Sequence, residues 1–253
     1  MNKISLIGWT EFKRLFNSPL AWSILAILQF ILALMFLLLL DGFIVGIQNE
    51  GVGKELSLGV TDVVVSRIYL WAGVIMLVVI PILTMRSFAE ERMNKTLALL
   101  ISSPITFTQL VLGKFTGLLM LIVLIVAMVS LMPLSLSLGT SLDYGRIATS
   151  ALGLFLLLSS FTAAGIFISS LTSQAMIAAI STFGLLLLFI VLYMSGTSST
   201  SASELFIYLS HISHFFSFTD GMLNSRDIIY YLLFTVLFLV LTIRRLDNQR
   251  LGA

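Results

Sequence analysis

Six long apolar runs alternate with shorter polar segments along the chain. About 20 apolar residues suffice to cross a ~30 Å hydrocarbon core. By that yardstick the runs predict spanning helices at Leu20–Leu40, Ile68–Thr84, Phe115–Leu138, Ile147–Leu171, Ala175–Ser195 and Ile228–Ile243. The first contains fourteen Leu, Ile, Phe or Val residues. These contribute about −4 to −8 kcal/mol to insertion, enough to offset Ser23 and Gln29. At 21 residues this run is also longer than the h-region of a cleavable signal, so it reads as a retained span. The sixth run is shorter and is expected to gain a turn at Asp227, with Arg244 and Arg245 snorkelling at its other end.

The segments between the runs carry patterns of their own. On a helix over residues 2–17, Ile4, Trp9, Phe12, Leu15 and Phe16 share one arc, and Thr10, Lys13, Arg14 and Asn17 lie opposite. That is an amphipathic helix suited to the membrane interface. Ser18-Pro19 then supplies an N-cap and first residue for the next helix. Between the second and third spans, residues 87–114 are the most charged long stretch of the chain. Ser87 can cap a short helix with Glu90 and Glu91 in its first turn, and Met93, Leu97 and Leu100 form an apolar stripe. Arg92, Asn94 and Lys95 lie off that stripe. Ser102-Ser103-Pro104 ends the helix, and Thr106 with Gln109 forms a capping box that starts the third span. A plain connector needs two to eight residues, so a thirty-residue helix–turn–helix here predicts an element that transmits force.

Between the fifth and sixth spans, Gly196–Glu204 (GTSSTSASE) reads as a linker. The aromatic stretch after it is interrupted by Ser and His and is too polar to span comfortably, so 204–226 reads as a re-entrant or interfacial segment. Small residues at Gly113 and Gly117, at Ala163-Ala164-Gly165, and at Ser181 with Gly184 mark places where helices could approach closely, within or between subunits.

Composition agrees with this picture: 58% of residues are hydrophobic, 10% are charged, and mean hydropathy is +1.09. A soluble domain carries roughly 25% charged residues. The net charge of +2 is too small to argue for nucleic acid, and the absence of cysteine excludes disulfides and thiolate metal sites. Placing the charges by side is more informative. With the N-terminus inside, ten of the fourteen Lys and Arg residues fall on the inner side and eight of the twelve acids on the outer. The positive-inside rule then predicts that both termini are cytoplasmic. No ionisable group lies deep in a predicted span, which argues against an ion-coupled carrier or an intramembrane enzyme.

Catalytic chemistry finds little support. A P-loop requires G-x-x-x-x-G-K-[ST]. The two Gly-Lys pairs, Gly53-Lys54 and Gly113-Lys114, have Gln48 and Thr108 at the upstream glycine position and are followed by Glu55 and Phe115. His211 and His214, the only histidines, have a spacing that can hold zinc, but two imidazoles alone make a weak site. Asp220 or Asp227 could pair with Arg226 to stabilise an outer gate, or could cap helices instead.

The stretch S-F-A-E-E-R-x-x-x-T-L-x-L-L-x-S-S-P-I-T…Q-L-V-L-G-K-F at Ser87–Phe115 resembles the coupling segment of type-2 ABC exporter permeases, most of all the gliding-motility (GldF-like) group. Phe12–Trp22 and Leu209–Leu232 resemble the same group, in the same order. The chain departs from it at Ala98, where a second acid is common, and at Asn94-Lys95. The resemblance implies an all-α membrane protein forming one permease domain over 1–253. It would have six transmembrane helices, an N-terminal amphipathic elbow helix at 2–17, a cytoplasmic coupling helix between spans two and three, and outer re-entrant helices between spans five and six. ATPase coupling is expected at Glu90, Glu91, Arg92, Met93, Thr96, Leu97 and Leu100, and an outer gate at His211, His214, Phe215, Phe218 and Asp220. The implied setting is a bacterial inner membrane. The implied partners are two ABC ATP-binding subunits, which bind the ATP and magnesium, a second permease copy, and a GldG-like membrane subunit. The chain would then export an unidentified substrate. A mechanical subunit of an ATPase-driven envelope machine, transporting nothing, is the alternative.

Overall fold

The computed structural model describes residues 3–50, 59–94, 105–195 and 208–251, which are helical almost throughout and contain no strand. Helix α1 is Lys3–Asn17 and α2 is Pro19–Glu50. A π-helical turn at Thr61–Val65 leads into α3, Ser66–Thr84, and α4 is the short helix Ala89–Met93. Then come α5 (Phe107–Ser135, with a 3-10 turn at Leu136–Leu138), α6 (Tyr144–Leu171), α7 (Ala175–Ser195), α8 (His211–Thr219) and α9 (Ser225–Leu251). Of these, α2, α3 with its flanking turns, α5, α6, α7 and α9 are long and apolar enough to cross a membrane. An even number of crossings brings both chain termini to one end of the bundle. Thr96, Leu97, Leu100, the Ser102–Pro104 break and the Gly196–Glu204 linker lie outside the described residues.

The spans follow the hydrophobic pattern, and their ends differ where polar chemistry extends a helix. The capping box forms as expected: Thr106 Oγ1 accepts from Gln109 N, and Thr106 N donates to Gln109 Oε1, both at 3.3 Å. It starts α5 two turns before the apolar run begins. The sixth span is lengthened at both ends rather than by one turn, since α9 continues through Arg244 and Arg245 to Leu251.

Helix α6 is the axis of the bundle and is buried on nearly every side, whereas α2 and α7 are buried only along single stripes. On α2 the stripe is Ala21, Leu25, Leu28, Leu32 and Phe36, and on α7 it is Ala178, Thr182 and Leu186. Two α6 glycines set its contacts. A Cβ at Gly165 would collide with Thr84 of α3, and one at Gly153 would lie 2.6 Å from Phe218 Cγ of α8. Buried hydroxyls on α6 are satisfied within the helix. Ser160 and Thr162 donate to Leu157 O and Leu158 O at 2.7 and 2.8 Å, which is how a span carries polar side chains without exposing them to hydrocarbon.

The face that α1 turns inward follows the expected arc except at Trp9: Ile4, Phe12, Leu15 and Phe16 are partly buried, and Thr10, Lys13, Arg14 and Asn17 are exposed. Trp9 is 45% exposed, with the Lys13 ammonium 5.3 Å from its ring, whereas Gly8 is buried and Glu11 is half-buried. Backbone proximity sets this rotation. Built Cβ atoms at Gly113 and Gly117 of α5 would lie 2.5 Å from Ile7 Cγ2 and 2.8 Å from Gly8 O. The Gly113-x-x-x-Gly117 pair is therefore the seat of α1 within the same chain. The other small pair, Ser181 and Gly184, packs on nothing here: both residues are exposed.

Candidate functional site

At the end of the bundle that holds the termini, α1, α4, α5 and α6 meet around one buried cation. Lys114 sits in the second turn of α5 and is 2% exposed. Its ammonium lies 2.5 Å from Glu11 Oε1 on α1 and 2.5 Å from Glu91 Oε1 on α4. Arg14 joins both carboxylates at 3.5 Å, and the Phe88 ring lies 5.2 Å from the Lys114 ammonium. Opposite charges this close, shielded from water, attract strongly but hold only while each partner stays paired. A cavity of about 330 Å³ opens beside the network, lined among others by Arg14, Arg86, Ser87 and Glu90.

Helix α4 is also bound to α6. The sequence suggests Ser87 as its cap, but the N-cap residue is Phe88 and no side chain of α4's own segment caps it. Ser169 of α6 supplies the acceptor instead. Its Oγ takes the Phe88 and Ala89 N–H groups at 3.0 and 3.1 Å and donates to Met85 O at 3.0 Å. Arg92 reaches the last turn of α6 and donates to Ser170 O at 2.8 Å, a cation placed at the negative end of a helix. Met93 points away from these contacts and is 59% exposed.

The opposite end is organised by α8. Its buried face is His211, His214, Phe215, Phe218 and Thr219, a helical i, i+3, i+4, i+7, i+8 pattern. Phe215 lies against Gly73 of α3, and Phe218 lies in the notch at Gly153. The helix ends in a Schellman turn. Met222 N donates to Ser217 O at 2.9 Å and Gly221 N to Phe218 O at 3.1 Å, with Gly221 at φ +82°, a conformation that suits glycine. Ser66 Oγ and Arg146 Nε donate to Thr219 O at 3.0 and 2.8 Å. Arg146 further pairs with Asp62 of the π-turn and with Asp220 at 3.4 Å.

Of the two roles open to Asp220 and Asp227, pairing with Arg226 or helix capping, Asp220 takes the C-cap position of α8, and both acids have ionic partners other than Arg226. Asp220 pairs with Arg146, and Asp227 Oδ1 lies 2.6 Å from His214 Nδ1. The histidines also diverge. The His211 ring is enclosed by Phe189 and Phe234, with centroids at 4.8 and 4.4 Å, and burial lowers its pKa to about 3, with a smaller contribution from His214. Among the described residues no group of three or more His, Cys, Asp or Glu side chains could hold a metal ion.

The family profile described as ABC-2 family transporter protein matches residues 6–251. The chain belongs to the ABC-2 transporter family. An ABC-2 permease is a multi-pass membrane subunit of an ABC transporter and not itself the catalytic one, and its family implies a separate ABC ATP-binding partner. No curated protein matches the chain.

In this ABC-2 permease, Glu91 and Arg92 of the sequence-derived coupling set are docked on α1, α5 and α6. Glu90 borders the cavity, and Met93 is exposed. Thr96, Leu97 and Leu100 fall outside the described residues. All five residues expected at an outer gate, His211, His214, Phe215, Phe218 and Asp220, belong to α8 or its C-cap. Reading the sequence missed Lys114, Glu11, Ser169, Asp62 and Arg146 as members of these sites. The one available signal was a lysine in a span-starting helix beside GxxxG, a position where a glycine seat draws another helix close.

Proposed function

We propose that the chain is the permease of an ATP-driven exporter in a bacterial inner membrane. Its termini and α4 face the cytoplasm, it works as a pair of permease copies, and two ATP-binding subunits supply the ATP and magnesium chemistry. In this reading α4 and the segment after it receive the ATPase, and α1 acts as the elbow. Support comes first from Lys114, which holds Glu91 of α4 and Glu11 of α1 against the base of α5 at 2.5 Å each. A push on α4 cannot be absorbed by bending a loop, because the contact is an ion pair buried against a rigid span, so α5 and α1 move with it. The hydrogen bonds of Ser169 and Arg92 carry the same displacement into α6. The resemblance of Ser87–Phe115 to GldF-like coupling segments supports the gliding-motility group.

The test is purification of the tagged chain from its native membranes in mild detergent, as wild type and as Met93→Glu and Leu97→Glu. Met93 is exposed, so a charge there leaves the bundle intact while placing an unpaired carboxylate at a docking surface. Wild type is expected to bring down a P-loop protein with vanadate-sensitive ATP hydrolysis, and both variants to lose it. Folded wild type without an ATPase, or equal recovery with both variants, would refute the docking role of α4.

A further inference from the structure

His214 makes two contacts that need more protons than a neutral imidazole carries. Its Nε2 lies 2.9 Å from the Tyr208 carbonyl oxygen, and its Nδ1 lies 2.6 Å from Asp227 Oδ1. A carbonyl oxygen only accepts, so Nε2 must bear a hydrogen. If Nδ1 were then bare, its lone pair would face a carboxylate lone pair at hydrogen-bond distance. If Nδ1 bore the single proton instead, Nε2 would face the carbonyl unprotonated. Two protons are needed, and the second belongs to the His214–Asp227 pair.

The surroundings agree. Both side chains are more than nine-tenths buried, and Asp227 Oδ2 has no hydrogen-bond partner among the described residues. Without the shared proton Asp227 would be a buried carboxylate with no donor, a costly arrangement. The His214 ring also stacks on Tyr230 at 4.1 Å and 26°, a geometry that favours a cationic ring. A cavity of about 730 Å³, lined among others by Tyr208, Ser213, Ser217 and Arg226, reaches both members of the pair and gives the proton a path.

We propose that His214 and Asp227 form a binding site for one proton, taken from the medium at the end of the bundle opposite the termini, and that this proton latches α8 to α9. Other ionisable groups surround the ring. From α9 these are Asp227, Tyr230 and Tyr231; from the chain before α8, Tyr208; from α8 itself, His211. Arg226 borders the cavity. Packed against other parts of α8, α3 presents Gly73, α7 presents Tyr193 to Phe216, and α6 presents Arg146 at Thr219 and Asp220. His211 differs in kind. Tyr230 O–H donates to Leu209 O, so His211 Nδ1 must donate to the Tyr230 oxygen at 3.0 Å, leaving a neutral Nδ1–H tautomer.

The chain contains only these two histidines, so nitrogen-15 NMR of histidine-labelled full-length protein in lipid nanodiscs reads both directly. Wild type is expected to show one neutral Nδ1–H ring and one ring protonated at Nε2 with a proton shared at Nδ1. As pH is raised, loss of that shared proton should coincide with faster hydrogen exchange across α8. In Asp227→Asn the amide can donate to a bare Nδ1, so the contact survives without the extra proton. The variant should show an Nε2–H ring and α8 exchange that no longer rises with pH beyond the intrinsic chemical rate. A bare Nδ1 in wild type while α8 is protected would overturn the proposal, as would an unchanged pH response in Asp227→Asn.

Discussion

Replacing Lys114 with methionine removes the buried cation that lies closest to both Glu11 and Glu91, with little change in side-chain length. Both carboxylates stay in place with side chains only 16% and 11% exposed, and their Oε1 atoms, each 2.5 Å from the lost nitrogen, cannot be far apart. At a separation of about 5 Å and an effective dielectric near 20, their mutual repulsion is about 3 kcal/mol. Breaking a buried ion pair by removing one partner typically costs ~3–5 kcal/mol, so the two routes agree. Arg14 offsets part of this, but its contacts are 3.5 Å long and its side chain is half-exposed. Relaxation should therefore appear as α1 and α4 lifting from α5, not as loss of the bundle. Hydrogen exchange of purified protein in nanodiscs reads this directly. Amides of α1 and α4 should exchange on the order of a hundredfold faster or more, while the α6 core is unchanged. Neutralising both acids as well, in Glu11→Gln/Glu91→Gln/Lys114→Met, should restore much of the protection, because the apolar replacement no longer leaves buried charge behind. Unchanged exchange in Lys114→Met, or a triple variant no better than the single one, would show that α1 and α4 are held by packing alone.

Two further outcomes follow from the same geometry. Gly117→Val places a side chain where Gly8 O already sits, 2.8 Å from the built Cβ, so backbone must move. A cost of about 1–3 kcal/mol should appear as deprotection of α1, with the capping box at Thr106 and the rest of α5 intact. His211 has its folded pKa lowered to about 3 by burial, so the unfolded chain binds that proton first. Stability should then be retained above about pH 6.5 and fall as pH drops toward about 3, by up to about 1.4 kcal/mol per unit. His211→Phe, which suits the aromatic enclosure, should flatten this acid limb in unfolding midpoints measured across pH. A limb identical to wild type would refute the assignment.

The parts legible in the sequence are those that depend on neighbours along the chain. Six apolar runs of sufficient length became six helices, because in hydrocarbon each backbone group must be satisfied within its own segment. Thr106 and Gln109, three residues apart, formed the cap that their chemistry demands. Four of the five buried residues of α8, His211, His214, Phe215 and Phe218, were marked by the family resemblance and not by their spacing. Charged partners were not legible. Lys114 finds Glu11 103 residues away, Arg146 finds Asp62 84 residues away, and Ser169 caps a helix 81 residues before it. No local pattern encodes such pairs, since any of several acids satisfies a lysine equally well in one dimension. The seating of α1 shows the same limit: its apolar spacing grouped Trp9 with Phe12, Leu15 and Phe16, but the glycine seat on α5 takes the Gly8 side and leaves Trp9 exposed. The sequence by itself determined how many helices are long and apolar enough to cross and roughly where along the chain they lie. The tertiary structure decided which charges meet and which face turns inward, because those depend on distances that exist only once the helices are packed.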